Sequence, residues 1–228
     1  PTGVGKTFLA QTLAKLLNPN IQVIGVEPEG PACMLSSIKA GKVVSLPSVN
    51  TIADGTAVKT PGSKIFPYVS KNLDDILTVK DEELVLAFLD MVENHKMVVE
   101  NSGLLSVAAI QHLNVKGKKI VSILSGGNMD VITMSSVVQK GLILRDRIFT
   151  VAVHLPDRPG TLSKVADVVA KANGNVIKLE HNQFFTINRQ SAVELQITME
   201  AYGPEHKKQI LKRLDEEGYK PQVVRTLI

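Results

Sequence analysis

Four short stretches of the 228-residue chain set glycines beside hydroxyls or carboxylates in patterns that could do chemistry. The first is PTGVGKT, residues 1–7. Gly3, Gly5, Lys6 and Thr7 fill the closing slots of the phosphate loop G-x-x-x-x-G-K-[ST]. In that loop, backbone N–H groups wrap phosphates, the Lys supplies charge and the hydroxyl holds Mg²⁺. A nucleotide hydrolase also needs a carboxylate at the end of a later strand. The only apolar run ending in Asp is LVLAFLD, and Leu84, Val85, Ala87, Phe88, Met91 and Val92 recur there at helical spacing. Asp90 therefore falls on a helix. The competing reading of residues 1–7 is a glycine-rich turn at a helix start that cradles a phosphate not carried by a nucleotide.

The second stretch, SILSGGN (122–128), puts a small hydroxyl, Ser125, at the end of an apolar run. Ligands of open α/β sheets bind at such carboxyl edges, although a tight strand–helix turn would read the same way. TIADGTAV (51–58) and KMVVENSG (96–103) punctuate apolar runs with Asp54 and Glu100. By default Asp54 is a turn residue and Glu100 caps the helix that follows.

The elements that must position these residues alternate. Residues 5–17 read as a helix stopped by NPN (18–20), 21–28 as a strand, 31–41 as a helix and 43–46 as a short strand. A strand over 75–79 and an amphipathic helix over 80–96 follow, then a helix over 102–113 and a strand over 118–127. Strand–helix alternation predicts an α/β domain with an open, mostly parallel sheet and helices on both faces. The segment 137–147 leads into a second unit with the order βαββαβ, that of a ferredoxin-like sandwich. We therefore expect two domains, 1–143 and 144–228.

Composition narrows the function classes. Apolar residues make up 44%, charged residues 21% and aromatics 4%, with no Trp, so no stacking platform for single-stranded nucleic acid is evident. The net charge of +4 is spread over both halves without a basic face, which argues against nucleic acid and anionic membranes as partners. The single cysteine, Cys33, excludes an internal disulfide and fits a reducing cytoplasm. No apolar run reaches the ~20 residues of a membrane span. Because PTGVGKT is cut at its first glycine and Pro1 is not an initiator Met, the sequence reads as a fragment.

GVEPEGPACM (25–34), TIADGTAV (51–58), MVVENSG (97–103) and VSILSGGN (121–128), in that order and spacing, resemble the threonine ammonia-lyase (threonine dehydratase) family. Those are pyridoxal-phosphate enzymes of fold type II, the fold that also holds serine racemase. The likeness runs from about Asn18 to Leu144. VAVHLPDRPGTLSKVADVVAKANGNV (151–176) resembles an ACT domain, with its P-G-x-L turn and its G-N before the second strand.

The resemblance implies β-elimination from L-threonine, and from L-serine, to 2-oxobutanoate or pyruvate plus ammonia. It assigns the cofactor's pyridine nitrogen to Ser125, within a turn that includes Gly126 and Asn128, with Glu100 beside it. The family's tetraglycine phosphate loop falls on Thr2, Gly3, Val4 and Gly5, where two of four glycines are kept. Some relatives hold a divalent cation through a carboxylate matching Glu27 and a second position that is Cys33 here; a thiol suits a hard cation poorly, so no metal site is expected. The Schiff-base lysine of an S-F-K-x-R-G-A stretch has no counterpart in residues 1–228. In the ACT part, an amino-acid or nucleotide effector would bind at the Asp157–Leu162 turn, including Pro159 and Gly160, and near Asn175, across the interface of a homo-dimer or tetramer. A P-loop ATPase and a non-catalytic effector-binding or assembly fragment are the rival readings.

Overall fold

The computed structural model describes residues 13–182 and 193–226. PTGVGKT therefore lies outside the described residues. The chain divides into two compact units, residues 1–138 and 139–228.

The first unit is built on two parallel strands, β1 (Ile24–Pro28) and β2 (Asp75–Val79), in register from Ile24 opposite Asp75 to Pro28 opposite Val79. Helix α1 (Cys33–Ala40) follows β1 and ends on Gly41 in the left-handed conformation. Helix α2 (Phe66–Asn72) precedes β2 and carries Pro in its first turn, where the missing N–H costs nothing. Helix α3 (Asp81–Asp90) opens on three acids, and the Glu83 carboxylate accepts the Lys80 N–H at 2.7 Å. It buries Leu84, Val85, Ala87, Phe88 and Leu89, with Phe88 and Leu84 fully enclosed. A π turn at Met91–His95 carries the same rod onward to Lys96, which is left-handed. Asp90 thus sits in a helix, as the apolar spacing predicts, and accepts from Asn94 Nδ2.

Three expectations differ from what forms. The helix expected over 102–113 is broken into a 3₁₀ turn Asn101–Leu104, a four-residue helix α4 (Leu105–Ala108) and a second 3₁₀ turn Ala109–His112. Residues 43–46 form no strand, because the Val44 N–H is taken by the Ser37 hydroxyl at 2.9 Å instead of a neighbouring backbone. Residues 118–127 also form no strand. That segment is tied by single bonds, Ser106 Oγ to the Ile123 carbonyl and the Glu100 N–H to the Gly126 carbonyl, rather than by a ladder. Helix α5 (Val131–Leu144) was not anticipated from the sequence; Asp130 caps it by accepting the Ile132 and Thr133 N–H groups.

The second unit has the expected order. Strand β3 (Ile148–Leu155), helix α6 (Thr161–Lys171), β4 (Asn175–Asn182), β5 (Val193–Glu200), helix α7 (Pro204–Glu216) and β6 (Gln222–Val224) form a four-stranded antiparallel sheet ordered β4-β5-β3-β6. Phe149, Val151, Val153 and Leu155 of β3 and Val193, Leu195, Ile197 and Met199 of β5 are buried on alternate positions, and Ile148, Thr150, Ala152 and Thr198 between them are buried as well. Val165 and Val169 of α6 and Ile210 and Leu214 of α7 close this core. Such two-residue and helical periods are what the sequence showed. No helix among the described residues is long and apolar enough to cross a membrane.

One polar pair interrupts this sheet. Thr150 and Thr198 lie opposite each other, are both buried, and share a hydroxyl–hydroxyl bond of 2.9 Å. Thr150→Val should cost about 1–3 kcal/mol because it strands the Thr198 hydroxyl. Adding Thr198→Val should recover most of that loss. Urea denaturation of the single and double variants reads the difference, and additive losses would contradict it.

Candidate functional site

Three of the four stretches converge in the first unit. Glu100 starts the 3₁₀ turn Asn101–Leu104, yet its side chain makes no capping bond to that turn. It reaches instead across to residues 126–128, where Oε2 accepts the Asn128 N–H at 3.2 Å. Oε1 accepts from the Ser102 hydroxyl at 3.1 Å, and the Glu100 N–H donates to the Gly126 carbonyl at 3.3 Å. The capping role expected by default is replaced by a bridge between two turns.

Glycines allow this closeness. Gly126 has φ +86°, and a Cβ there would overlap the Glu100 carboxylate. A Cβ on Gly103 would overlap the Ser125 carbonyl. Ser125 itself is half-buried, while Asn128 is exposed. The turn TIADG enters from the other side: Asp54 is exposed, and a Cβ on Gly55 would stand 2.6 Å from the Ser102 hydroxyl. Asp54 thus behaves as a turn residue, opening the 3₁₀ turn Asp54–Thr56.

Glu27 plays a different part. Its carboxylate accepts the N–H groups of Met34 and Leu35, both at 2.9 Å, so it caps helix α1 from the end of β1. Cys33 donates weakly to the same carboxylate, at 3.9 Å. Burial raises the Glu27 pKa above its ordinary value of 4.5, against the lowering effect of the Leu35, Met34 and Cys33 hydrogen bonds. Burial, then the Glu27 charge, raises the Cys33 thiol likewise. Both carboxylate oxygens are engaged in capping, and no group of three or more metal-ligating side chains occurs among the described residues.

The expected effector residues are separated within one chain. Turn Asp157–Leu162 follows the end of β3 at Leu155, which pairs with Val193. Asn175 pairs with Glu200, opposite the start of β3 at Ile148, and its side chain donates to the Glu200 carboxylate at 2.8 Å. Seven rungs of roughly 3.3 Å put the two about 23 Å apart.

A model of the pyridoxal-phosphate dependent enzymes matches residues 1–126. The chain belongs to that family. An ACT-domain model matches residues 149–218 of this pyridoxal-phosphate family chain. Along 98% of its length it is 33% identical to an L-threonine ammonia-lyase from Thermotoga maritima, of which it covers 56%. With an L-threonine ammonia-lyase from Geobacter sulfurreducens it shares 34% identity over 94% of this chain and 54% of the relative. It thus spans about half the length of these curated relatives. Among solved structures, a threonine deaminase from Solanum lycopersicum superposes with a TM-score of 0.56 at 31% identity, over 60% of this chain and 41% of that one. A maize serine racemase does so with 0.53 at 33%, over 64% and 46%. The α/β fold of type II and the ACT domain expected from the sequence are therefore found.

The residues present fit the family's cofactor at the end that can be described. Glycine cradles keep the 100–103 and 125–128 turns in contact, and the Oδ1 of Asn101 beside them is buried without a donor among the described residues. Gly3, Val4 and Gly5, expected at the phosphate, lie outside the described residues. Sequence reasoning missed Asn101, Ser102 and Gly55 as parts of the site. Asn101 and Ser102 lie inside the quoted stretch MVVENSG and Gly55 inside TIADGTAV, but no local signal marks the contacts they make.

Two substitutions test this geometry. Gly126→Ala should destabilise by about 1–3 kcal/mol, from left-handed backbone strain and eviction of the Glu100 carboxylate. Gly127→Ala, whose Cβ would meet only the Val98 carbonyl at 3.8 Å, is the control and should be nearly neutral in urea melts. For Glu27, a folded-state pKa raised above the unfolded one means stability that is full below 4.5 and lost as pH rises through the raised value. Glu27→Gln removes that titration. The native protein's stability relative to the variant should therefore fall with pH across this window, and a rising difference in urea midpoints would contradict the assignment.

Proposed function

We propose that this chain is the ACT-bearing part of a threonine ammonia-lyase that converts L-threonine, and L-serine, to 2-oxobutanoate or pyruvate and ammonia. The observation that carries this reading is continuous similarity to two L-threonine ammonia-lyases across both the 1–126 and 149–218 matches, motifs included. Pyridoxal phosphate, when bound, supplies the electron sink that makes loss of an α-proton and a β-hydroxyl feasible.

The chain's own residues would hold that group. Ser125 would offer its hydroxyl to the pyridine nitrogen as a neutral partner, which suits elimination better than chemistry needing a full positive charge on the ring. Glu100 would hold the Ser125–Asn128 turn in place through the Asn128 N–H, and Gly126 would leave room for it. Gly3, Val4 and Gly5 would receive the phosphate. The family match begins at residue 1, which supports pyridoxal's phosphate over ATP's as the partner of PTGVGKT. No lysine of residues 1–228 has the context of the family's cofactor-bearing lysine, so catalysis by these residues alone is not proposed.

Residues 1–143 and 144–228 would be the catalytic and regulatory domains of a cytoplasmic homo-dimer or tetramer. An amino-acid or nucleotide effector would meet the Asp157, Pro159, Gly160 and Leu162 turn of one copy and Asn175 of another. Their separation of about 23 Å within one chain favours a shared site.

The test uses the full-length protein, including any residues upstream of Pro1, with pyridoxal phosphate and L-threonine. Release of 2-oxobutanoate and ammonia is expected, and absence of both with cofactor bound would overturn the substrate assignment. Ser125→Ala should weaken cofactor binding roughly fivefold, the equivalent of one hydrogen bond of about 1 kcal/mol. Unchanged cofactor absorbance and affinity in that variant would remove Ser125 from its role.

A further inference from the structure

Asn101 is only 5% exposed, and its Nδ2 donates to the Ile52 carbonyl at 3.0 Å. Its Oδ1 has no donor among the described residues. The Ile52 carbonyl fixes which way the amide faces, because turning it over would set Oδ1 against another acceptor. The other side of the Ile52 residue is also held: its N–H donates to Asp81 Oδ2 at 3.1 Å, and the Thr51 hydroxyl donates to Asp81 Oδ1 at 2.6 Å.

Ile52 is thereby gripped through both backbone polar groups, by Asp81 at the start of α3 and by Asn101 at the 100–103 turn. Three residues later Gly55 approaches the Ser102 hydroxyl, and its Cβ would stand 3.7 Å from Glu100 Oε1. The placement of the TIADG turn against Glu100 depends on that grip. Buried polar atoms are nearly always paired, so an amide serving only as a brace would have its acceptor filled as well as its donor. Among the described residues, Asn101 keeps an acceptor open next to the Glu100 bridge.

We propose that Asn101 is a positioning residue of the cofactor site: Nδ2 registers the 51–56 segment against Glu100, and Oδ1 receives an N–H or O–H donor when the site fills. This rests on the pyridoxal-phosphate reading of the site. A structural role alone would require the first bond and leave ligand affinity independent of it.

The experiment uses Asn101→Asp in the full-length protein, with pyridoxamine phosphate as the probe because its binding needs no lysine. Protonated, the new carboxyl still donates to the Ile52 carbonyl; ionised, it repels it, and burial keeps its pKa high. Relative to native protein at the same pH, the variant should bind about equally at pH of roughly 5.5 and about fivefold more weakly at roughly 8.5. Hydrogen exchange in peptide 51–57 should accelerate over the same range. A variant that matches native affinity at both pH values, or whose 51–57 peptide exchanges as native does, overturns the inference even if it melts earlier. Failure of native protein to bind pyridoxamine phosphate would instead sink the cofactor reading, and the assignment of Asn101 to it, while an altered exchange rate would still mark the grip on Ile52.

Discussion

The first unit depends on a carboxylate standing where a side chain could have been. Glu100 occupies the volume that a Cβ on residue 126 would need, and spends its two oxygens on the Asn128 N–H and the Ser102 hydroxyl. Neither turn has a ladder of its own. Residues 118–130 carry no strand, and residues 101–104 hold only a 3₁₀ turn, whose hydrogen bonds are poorer than an α-helix's. What fixes one against the other is therefore a small set of side-chain bonds, the single backbone bond from the Glu100 N–H to the Gly126 carbonyl, and the absence of two β-carbons, at residues 103 and 126. A site assembled this way is precise only while every member of the set is in place.

Glu27 and Glu100 show how the same side chain divides its labour. Each follows an apolar run and precedes a helical turn, so local chemistry alone would make both helix caps. Glu27 does cap, holding the Met34 and Leu35 N–H groups at the mouth of α1. There burial outweighs the hydrogen bonds and raises its pKa, so the cap is strongest as geometry and weakest as charge. Glu100 lies beside a glycine pair able to come within reach, and the long-range partner wins over the local one.

That contest decides what was legible in the sequence. Elements whose own periodicity carries them were readable: α3 from Leu84, Val85 and Phe88, and the whole βαββαβ unit from the alternation of Val151, Val153 and Leu155 and of Leu195, Ile197 and Met199. Segments 43–46 and 118–127 share the composition of strands but have only isolated backbone bonds and no ladder in the described fold, and no local signal reports that lack. Ser125, Gly126 and Glu100 could be singled out as residue types at edges. Asn101 could not, since its importance lies in the carbonyl of Ile52, which is 49 residues away in sequence. Nor does anything local mark Gly55, whose lack of a side chain is what admits the Ser102 hydroxyl.

The second unit poses the opposite problem, a fold readable from its own periods and expected effector residues that lie at opposite ends of one sheet. Its Asp157–Leu162 turn, closed by the Thr161 N–H on the Arg158 carbonyl and with Leu162 substantially exposed, lies at one end of the sheet. Asn175 is at the other end, its amide already committed to Glu200. A ligand that needed both would have to span the sheet's length, far more than a single amino acid can. β4 forms an edge of the sheet, with Ile177 and Leu179 partly exposed. The Asn175–Glu200 bond joins two residues that also pair across β4 and β5, so that side chain serves the strand pairing at this end of the sheet.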